Sequence, residues 1–208
     1  MKLYTAARAP NPRRVDMFLA EKGICNIERQ WVDLNSSAHK TDDFLARNSL
    51  ATVPVLELDD GRFLSESRAI CTYFESVYPE PNLMGKEGEE RAFIEMADRQ
   101  IELNLFISIA HCVRHTHPGL ALLEQPQFPD YGASRGQKFR EFARWLDDQL
   151  ASRPYVAGNR FTIADITAFC AIEFARLIKF KPKAEGMIHL QEWRDRIAER
   201  PSAKLADA

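Results

Sequence analysis

Residues 53 to 67 confine the fold more tightly than any other stretch of the chain. They read Val53-Pro54-Val55-Leu56-Glu57-Leu58-Asp59-Asp60-Gly61-Arg62-Phe63-Leu64-Ser65-Glu66-Ser67. A proline opens an apolar strand, an Asp-Asp-Gly turn reverses the chain, a second short strand follows, and a helix begins around Ser65-Glu66-Ser67. Proline has no N–H for a sheet ladder, so it is tolerated at a strand's first residue or at an edge. With a cis Val53–Pro54 bond, Val53 turns its own N–H and C=O outward, where an extended peptide can pair with them as one more strand. The free N–H groups of the helix start form an anion site, and Glu66 beside it suits an ammonium group. A carboxylate receptor touching an ammonium receptor matches the end of an amino acid. The bland alternative is a plain hairpin and a helix whose first-turn glutamate only complements the dipole.

Around this segment the first part of the chain alternates between strand and helix signals. Lys2 to Thr5 reads as a strand. Arg13 to Lys22 carries Val15, Phe18 and Leu19 at helical spacing and is closed by Gly23. Glu28 to Asp33 reads as a second strand and Thr41 to Arg47 as a short helix. A helix between the first two strands implies a parallel, right-handed crossover, while the hairpin adds an antiparallel pair. Pro79-Glu80-Pro81-Asn82 breaks the pattern and opens a linker over residues 79–88. Beyond it the strand signals vanish, and helices are expected over Glu89 to Val113, around Phe139 to Leu150, over Thr162 to Ile178 and over Leu190 to Ala198. The expected organisation is therefore an α/β domain over residues 1–78 and an all-helical domain over 89–208. Thr162 and Asp165 make a capping box at the start of the third of these helices, with Phe161 placed to staple to Ile166.

Composition narrows the partners. The chain has 208 residues and a net charge of −2, which gives no global bias toward nucleic acid or an anionic membrane. It has no apolar run of about 18 residues to span a bilayer, and its N-terminus lacks the long apolar region of a signal peptide. The four cysteines, Cys25, Cys71, Cys112 and Cys170, form no CxxC. That argues against a disulfide framework and a zinc site, and it fits reduced thiols in the cytoplasm. His115-Thr116-His117 lacks clear further ligands, so no metal is expected and these histidines are read as hydrogen-bonding groups.

Taken in order, Val53-Pro54 before the third strand, Glu66-Ser67 at the third helix and the capped Thr162-Ile163-Ala164-Asp165 resemble the cytosolic glutathione transferases over nearly the whole chain. The resemblance implies a thioredoxin-like N-terminal domain followed by an all-helical C-terminal one, with glutathione as co-substrate. It implies that Pro54 is cis, that Val53 pairs with the cysteinyl backbone of glutathione, and that Glu66 and Ser67 hold its γ-glutamyl end. His39 resembles the position that reaches the glycyl carboxylate in theta-type members, and Lys40 can do the same. Thr52 stands where many relatives carry a lysine. A homodimer is implied as well, with a pocket for a hydrophobic electrophile between the domains.

The chemistry departs from the common pattern at one place. Such an enzyme must ionise a thiol whose ordinary pKa is about 8.5. Family members place a Tyr, Ser or Cys between the first strand and the first helix. Here the segment is Ala6-Ala7-Arg8-Ala9-Pro10-Asn11-Pro12-Arg13-Arg14, without a hydroxyl or thiol. It looks more like the bacterial Nu-class members, in which an asparagine amide contacts the sulfur. Asn11 is thus the expected thiolate contact, read as an N-cap followed by proline. Arg13 is a candidate second contact, since cations near a helix start oppose the macrodipole. Tyr4 is read as core, and Cys25 as buried. The leading function is conjugation of glutathione to hydrophobic electrophiles. Glutathione-dependent disulfide reduction is the alternative enzyme, and a non-catalytic interaction protein of the same fold is the alternative from another class.

Overall fold

The computed structural model describes Met1 to Leu205, and the chain divides into two compact units. The first holds Met1–Asn82 together with the short helix that begins at Pro201; the second holds Leu83–Arg200.

The first unit runs β1 (Lys2–Thr5), α1 (Pro10–Glu21), β2 (Glu28–Trp31), α2 (Asp42–Leu45), β3 (Val55–Glu57), β4 (Phe63–Ser65) and α3 (Ser67–Val77). Its sheet has the order β2-β1-β3-β4. β1 and β2 are parallel across the α1 crossover, and β3 pairs antiparallel with both β1 and β4. The hairpin turns where it was expected, with Gly61 at φ +82, a conformation glycine adopts without steric cost. Leu3, Val15, Phe18, Leu19, Leu56, Ile70 and Phe74 are all fully buried, so α1 and α3 lay their apolar stripes on the sheet.

Lys22 is buried just past α1. Its ammonium donates to the carbonyls of Tyr78 (2.8 Å) and Pro81 (2.7 Å) and pairs with Glu75 at 2.5 Å. The cation thereby satisfies the carbonyls that α3 and the proline segment leave open at its end. Cys25 is exposed, contrary to the expectation of burial. After Gly23 the chain turns Ile24 and Ile27 inward and leaves the residues between them facing water.

The second unit runs α4 (Gly88–Gln100), a π-helical stretch (Ile101–Phe106), α5 (Ile107–Thr116), α6 (Pro129–Leu150), α7 (Ile163–Phe174) and α8 (Ile188–Ala198). The single long helix expected over Glu89 to Val113 is thus one helical run with a π-segment inside it. α7 is buried on every side, from Ile163 to Glu173, which places it at the centre of the bundle. α6 approaches α5 closely: a Cβ on Gly136 would lie 2.8 Å from Cys112 Sγ, and one on Gly132 would lie 2.7 Å from Thr116 Cγ2.

The capping box at Thr162 and Asp165 forms as expected. Asp165 does more than cap. Its carboxylate accepts from Val156 N–H (2.9 Å), Trp193 Nε1–H (2.9 Å) and Thr162 N–H (3.0 Å), so one buried group ties α7 to the preceding loop and to α8. The final helix, α9 (Pro201–Leu205), packs on α1, with the Ser202 hydroxyl donating to Glu21.

Candidate functional site

Strand register collects the candidate residues at one end of the sheet. Val55 pairs with Ser65 and with Tyr4. Two residues beyond those pairs, Val53, Ser67 and Ala6 therefore come together at one end. β1 and β2 are parallel, so the chain leaves both toward this end, β1 into the loop carrying Asn11 and β2 into the segment carrying His39 and Lys40.

The Val53–Pro54 bond is cis. Among the described residues, neither the N–H nor the C=O of Val53 makes a backbone hydrogen bond, while its side chain packs on the cluster of Tyr4, Val32, Phe44 and Val55. A residue that sequence reasoning passed over holds this loop. Asn48 is buried, and its Nδ2 donates to both the carbonyl and the hydroxyl of Thr52, each at 2.9 Å. Its Oδ1 accepts from Leu50 N–H at 3.2 Å. This amide serves three backbone-proximal groups in the turn before Val53. Thr52 itself is exposed.

Glu66 is exposed and sits at φ +68, ψ +113 immediately before α3, with no side-chain cap on that helix. A non-glycine residue in this region costs on the order of 1–3 kcal/mol, and such residues cluster at ligand sites. Ser65 belongs to β4 rather than to the helix, because it completes the pairing with Val55. The first turn of α3 therefore opens at Ser67, with its N–H groups free of side-chain caps.

Ser67 is buried and joins the two halves of the candidate site. Its hydroxyl donates to Asn11 Oδ1 at 3.3 Å and accepts from Arg14 Nη1 at 3.2 Å. Arg14 is only 1% exposed. Of the two adjacent arginines, Arg14 reaches Ser67; Arg13 turns its Nη2 toward the Ala203 carbonyl, 3.5 Å away. Asn11 is exposed and occupies the second position of α1, not the N-cap, which is Ala9. The reason lies in Pro10, whose fixed φ starts the helix two residues earlier than the Asn-Pro pair suggests. Pro10 and Pro12 lack an N–H, so the helix opening offers only the amide hydrogens of Ala9 and Asn11.

His39 lies in a 3₁₀ turn and is buried, while Lys40 beside it is exposed. Tyr4 is core, as expected: its phenol donates to Glu57 at 2.8 Å and its ring meets Phe44 edge-on. The histidines of α5 and the one that follows it are committed locally. His115 Nδ1 accepts from Phe128 N–H at 3.1 Å, His117 Nδ1 accepts from Gly119 N–H at 3.1 Å, and His111 Nδ1 lies 2.8 Å from the Tyr131 hydroxyl. Burial and the neighbouring Arg135 hold His111 below the usual imidazole range. No group of three or more potential metal ligands forms among the described residues.

A thioredoxin-like unit with a cis-proline at its third strand and an uncapped helix start beside it, in a chain continued by an all-helical unit, has the architecture of a glutathione-binding transferase. Family models bear this out: residues 9–77 match the glutathione S-transferase N-terminal domain and residues 110–201 the C-terminal domain. Glutathione S-transferase 2 of Saccharomyces cerevisiae is 35% identical over 206 residues, 98% of this chain and 88% of its own. The crystal structure of Gtt2 from Saccharomyces cerevisiae superposes with a TM-score of 0.93 at 35% identity, covering 99% of this chain and all of that one. A glutathione S-transferase domain-containing protein from Marinobacter aquaeolei gives 0.92 at 39% identity, covering 98% of this chain and all of that one. The chain belongs to the glutathione S-transferase family, enzymes that take glutathione as co-substrate.

Proposed function

We propose that the chain binds glutathione along the open rim beside Pro54 and transfers it, as thiolate, to hydrophobic electrophiles. Val53 pairs with the cysteinyl backbone, Glu66 takes the γ-glutamyl ammonium, and the N–H groups at the start of α3 take the adjacent carboxylate. Lys40 is the exposed cation for the glycyl carboxylate. His39 is buried beside it and shapes that end, and Thr52 flanks the peptide through its loop. Asn11 stabilises the sulfur.

One observation carries the reading: the hydrogen bond between Ser67 and Asn11, which joins the predicted peptide anchor to the predicted sulfur contact. With Asn11 Oδ1 engaged by a hydroxyl donor, the amide's other end, Nδ2–H₂, is the group left to face a ligand. A neutral donor aimed at a thiolate lowers its pKa by favouring the charged form. Arg13 sits one helical turn inside the opening and adds only long-range positive potential. We further propose a cytoplasmic homodimer with a role in detoxification. Four free cysteines suit a reducing compartment. Phe93, Met96 and Leu103 stand exposed at near-helical spacing along α4 and the π-stretch, an apolar stripe for a second copy.

Calorimetric titration with glutathione tests the binding reading. Glu66→Ala should weaken affinity at least about tenfold, the scale of a lost charge-assisted contact; unchanged affinity would move the anchor elsewhere. Assays of the same protein with an aryl halide and with a small disulfide separate conjugation from disulfide reduction. Turnover of the disulfide alone would replace the proposed reaction with its alternative.

A further inference from the structure

The second unit carries a cleft of its own where α6 ends. The helix stops at Leu150, and residues 151–154 bring the chain against α8. Two bonds pin these elements together: Asp147 accepts from Leu190 N–H at 2.7 Å, and Arg196 donates to the Pro154 carbonyl. Between them lies a cleft of about 280 Å³, near the lower limit for small-molecule sites. His189, Glu192, Trp193 and Arg196 stand at i, i+3, i+4 and i+7, so they share the face of α8 that borders it. Arg153 lines it from the turn after α6. Trp193 is 1% exposed and its Nε1–H is spent on Asp165, so it offers the cleft ring carbon and no donor.

Arg153 is the group that the fold leaves uncompensated. Its Nε is buried without an acceptor, and among the described residues the side chain makes no hydrogen bond and no ion pair. Burial pulls the guanidinium below its ordinary pKa, with the charge of Asp165 opposing. Asp165 does not supply the missing acceptor, because its carboxylate is taken up by Val156, Trp193 and Thr162. A cation just past α6 complements the macrodipole, but that role needs neither burial nor a cleft. Glu192 lines the same cleft, is exposed, and forms no ion pair among the described residues. An oxyanion entering here would meet the terminal nitrogens of Arg153 and offset the charge that burial has stripped of water.

We infer that this cleft is a second ligand site, which takes a small organic monoanion by its carboxylate. The inference is independent of the function proposed above, since every lining residue belongs to the second unit. Arg153 holds the carboxylate, with His189 and Arg196 beside it; a guanidinium has five N–H donors, so Arg196 keeps others beyond the one given to Pro154. Leu150, Pro154 and Trp193 supply carbon contacts for the rest of the molecule. Glu192 selects for a single charge, because a dianion beside it meets stronger like-charge repulsion.

Benzoate and inorganic phosphate are the probes, titrated into the full chain at pH 8 and constant ionic strength. Glutathione is kept at saturation so that its own site is filled. Binding is followed at the Trp193 indole N–H by NMR, which reports on this cleft. Benzoate should shift that signal with half-saturation below about 1 mM, as expected for so small a ligand in a specific site, and phosphate should bind more weakly. Arg153→Gln should weaken benzoate at least about tenfold, the scale of a lost charge-assisted contact. Glu192→Gln should tighten it about two- to fivefold, the scale of a surface charge. A Trp193 signal that benzoate leaves in place, phosphate preferred to benzoate, or an affinity unchanged in Arg153→Gln would each overturn the inference. Should Arg153→Gln fail to fold, the exposed Glu192→Gln decides by itself: benzoate bound no tighter than by the wild type would overturn it.

Discussion

Glu66 carries backbone strain at a position where a glycine would carry almost none. At φ +68 its Cβ crowds the backbone, and only a side chain with work to do justifies that cost. Glu66→Gly should therefore raise stability, by about 0.5–1 kcal/mol once glycine's extra chain entropy is deducted, while weakening glutathione binding. Denaturant melts and a glutathione titration on one sample check both signs; a loss of stability would mean the residue is not strained. The elements that carry the residues proposed to anchor the peptide were legible in the sequence because local chemistry announces them: a proline at a strand's first position, a turn, an acidic helix start. Arg14 was not. Its contact with Ser67 spans 53 positions, and nothing in the spacing of two adjacent arginines tells which one folds inward. The burial of His39 escaped for the same reason, since a polar loop segment does not announce which of its side chains the core will accept.

At the scale of elements, α7 shows what a local motif tells and what it withholds. The Thr162–Asp165 box reads directly from sequence as a helix start worth about 1 kcal/mol. The hydrogen bond from Trp193 does not read from sequence, yet it makes Asp165 a junction of three segments. Burial pushes the Asp165 carboxyl up to about 6, against the four hydrogen bonds that favour its ionised form. An acid whose folded pKa lies above its unfolded value stabilises the fold below the unfolded pKa, and that contribution is lost as pH rises through the folded one. Two units correspond to about 3 kcal/mol. The stability of the wild type relative to Asp165→Asn should therefore fall by about that amount between pH 4 and pH 6. Parallel stability–pH curves for the two proteins would show that the carboxyl is not perturbed. The π-stretch at Ile101–Phe106 left no sequence signature either, because its apolar residues continue the periodicity of the helices on both sides.

For the whole molecule, the order of strand and helix signals was enough to expect an α/β unit followed by an all-helical one. The packing of α9 on α1 was beyond reach, since it depends on a contact between chain ends. The exposed stripe of Phe93, Met96 and Leu103 is the surface proposed above for a second copy. If a second copy covers it, sedimentation should give twice the chain mass for the wild type and a single chain mass for Phe93→Glu combined with Met96→Glu. A monomeric wild type would remove the homodimer from the account.

The central claim is that an asparagine amide stands in for the hydroxyl or thiol that this family commonly places after its first strand. Ultraviolet titration of thiolate absorbance in the glutathione complex tests it most directly. The account predicts a bound-thiol pKa at least about one unit below the free value near 8.5, moving back toward that value in Asn11→Ala while glutathione affinity stays nearly constant. A bound thiol that titrates identically with and without the Asn11 side chain would contradict it.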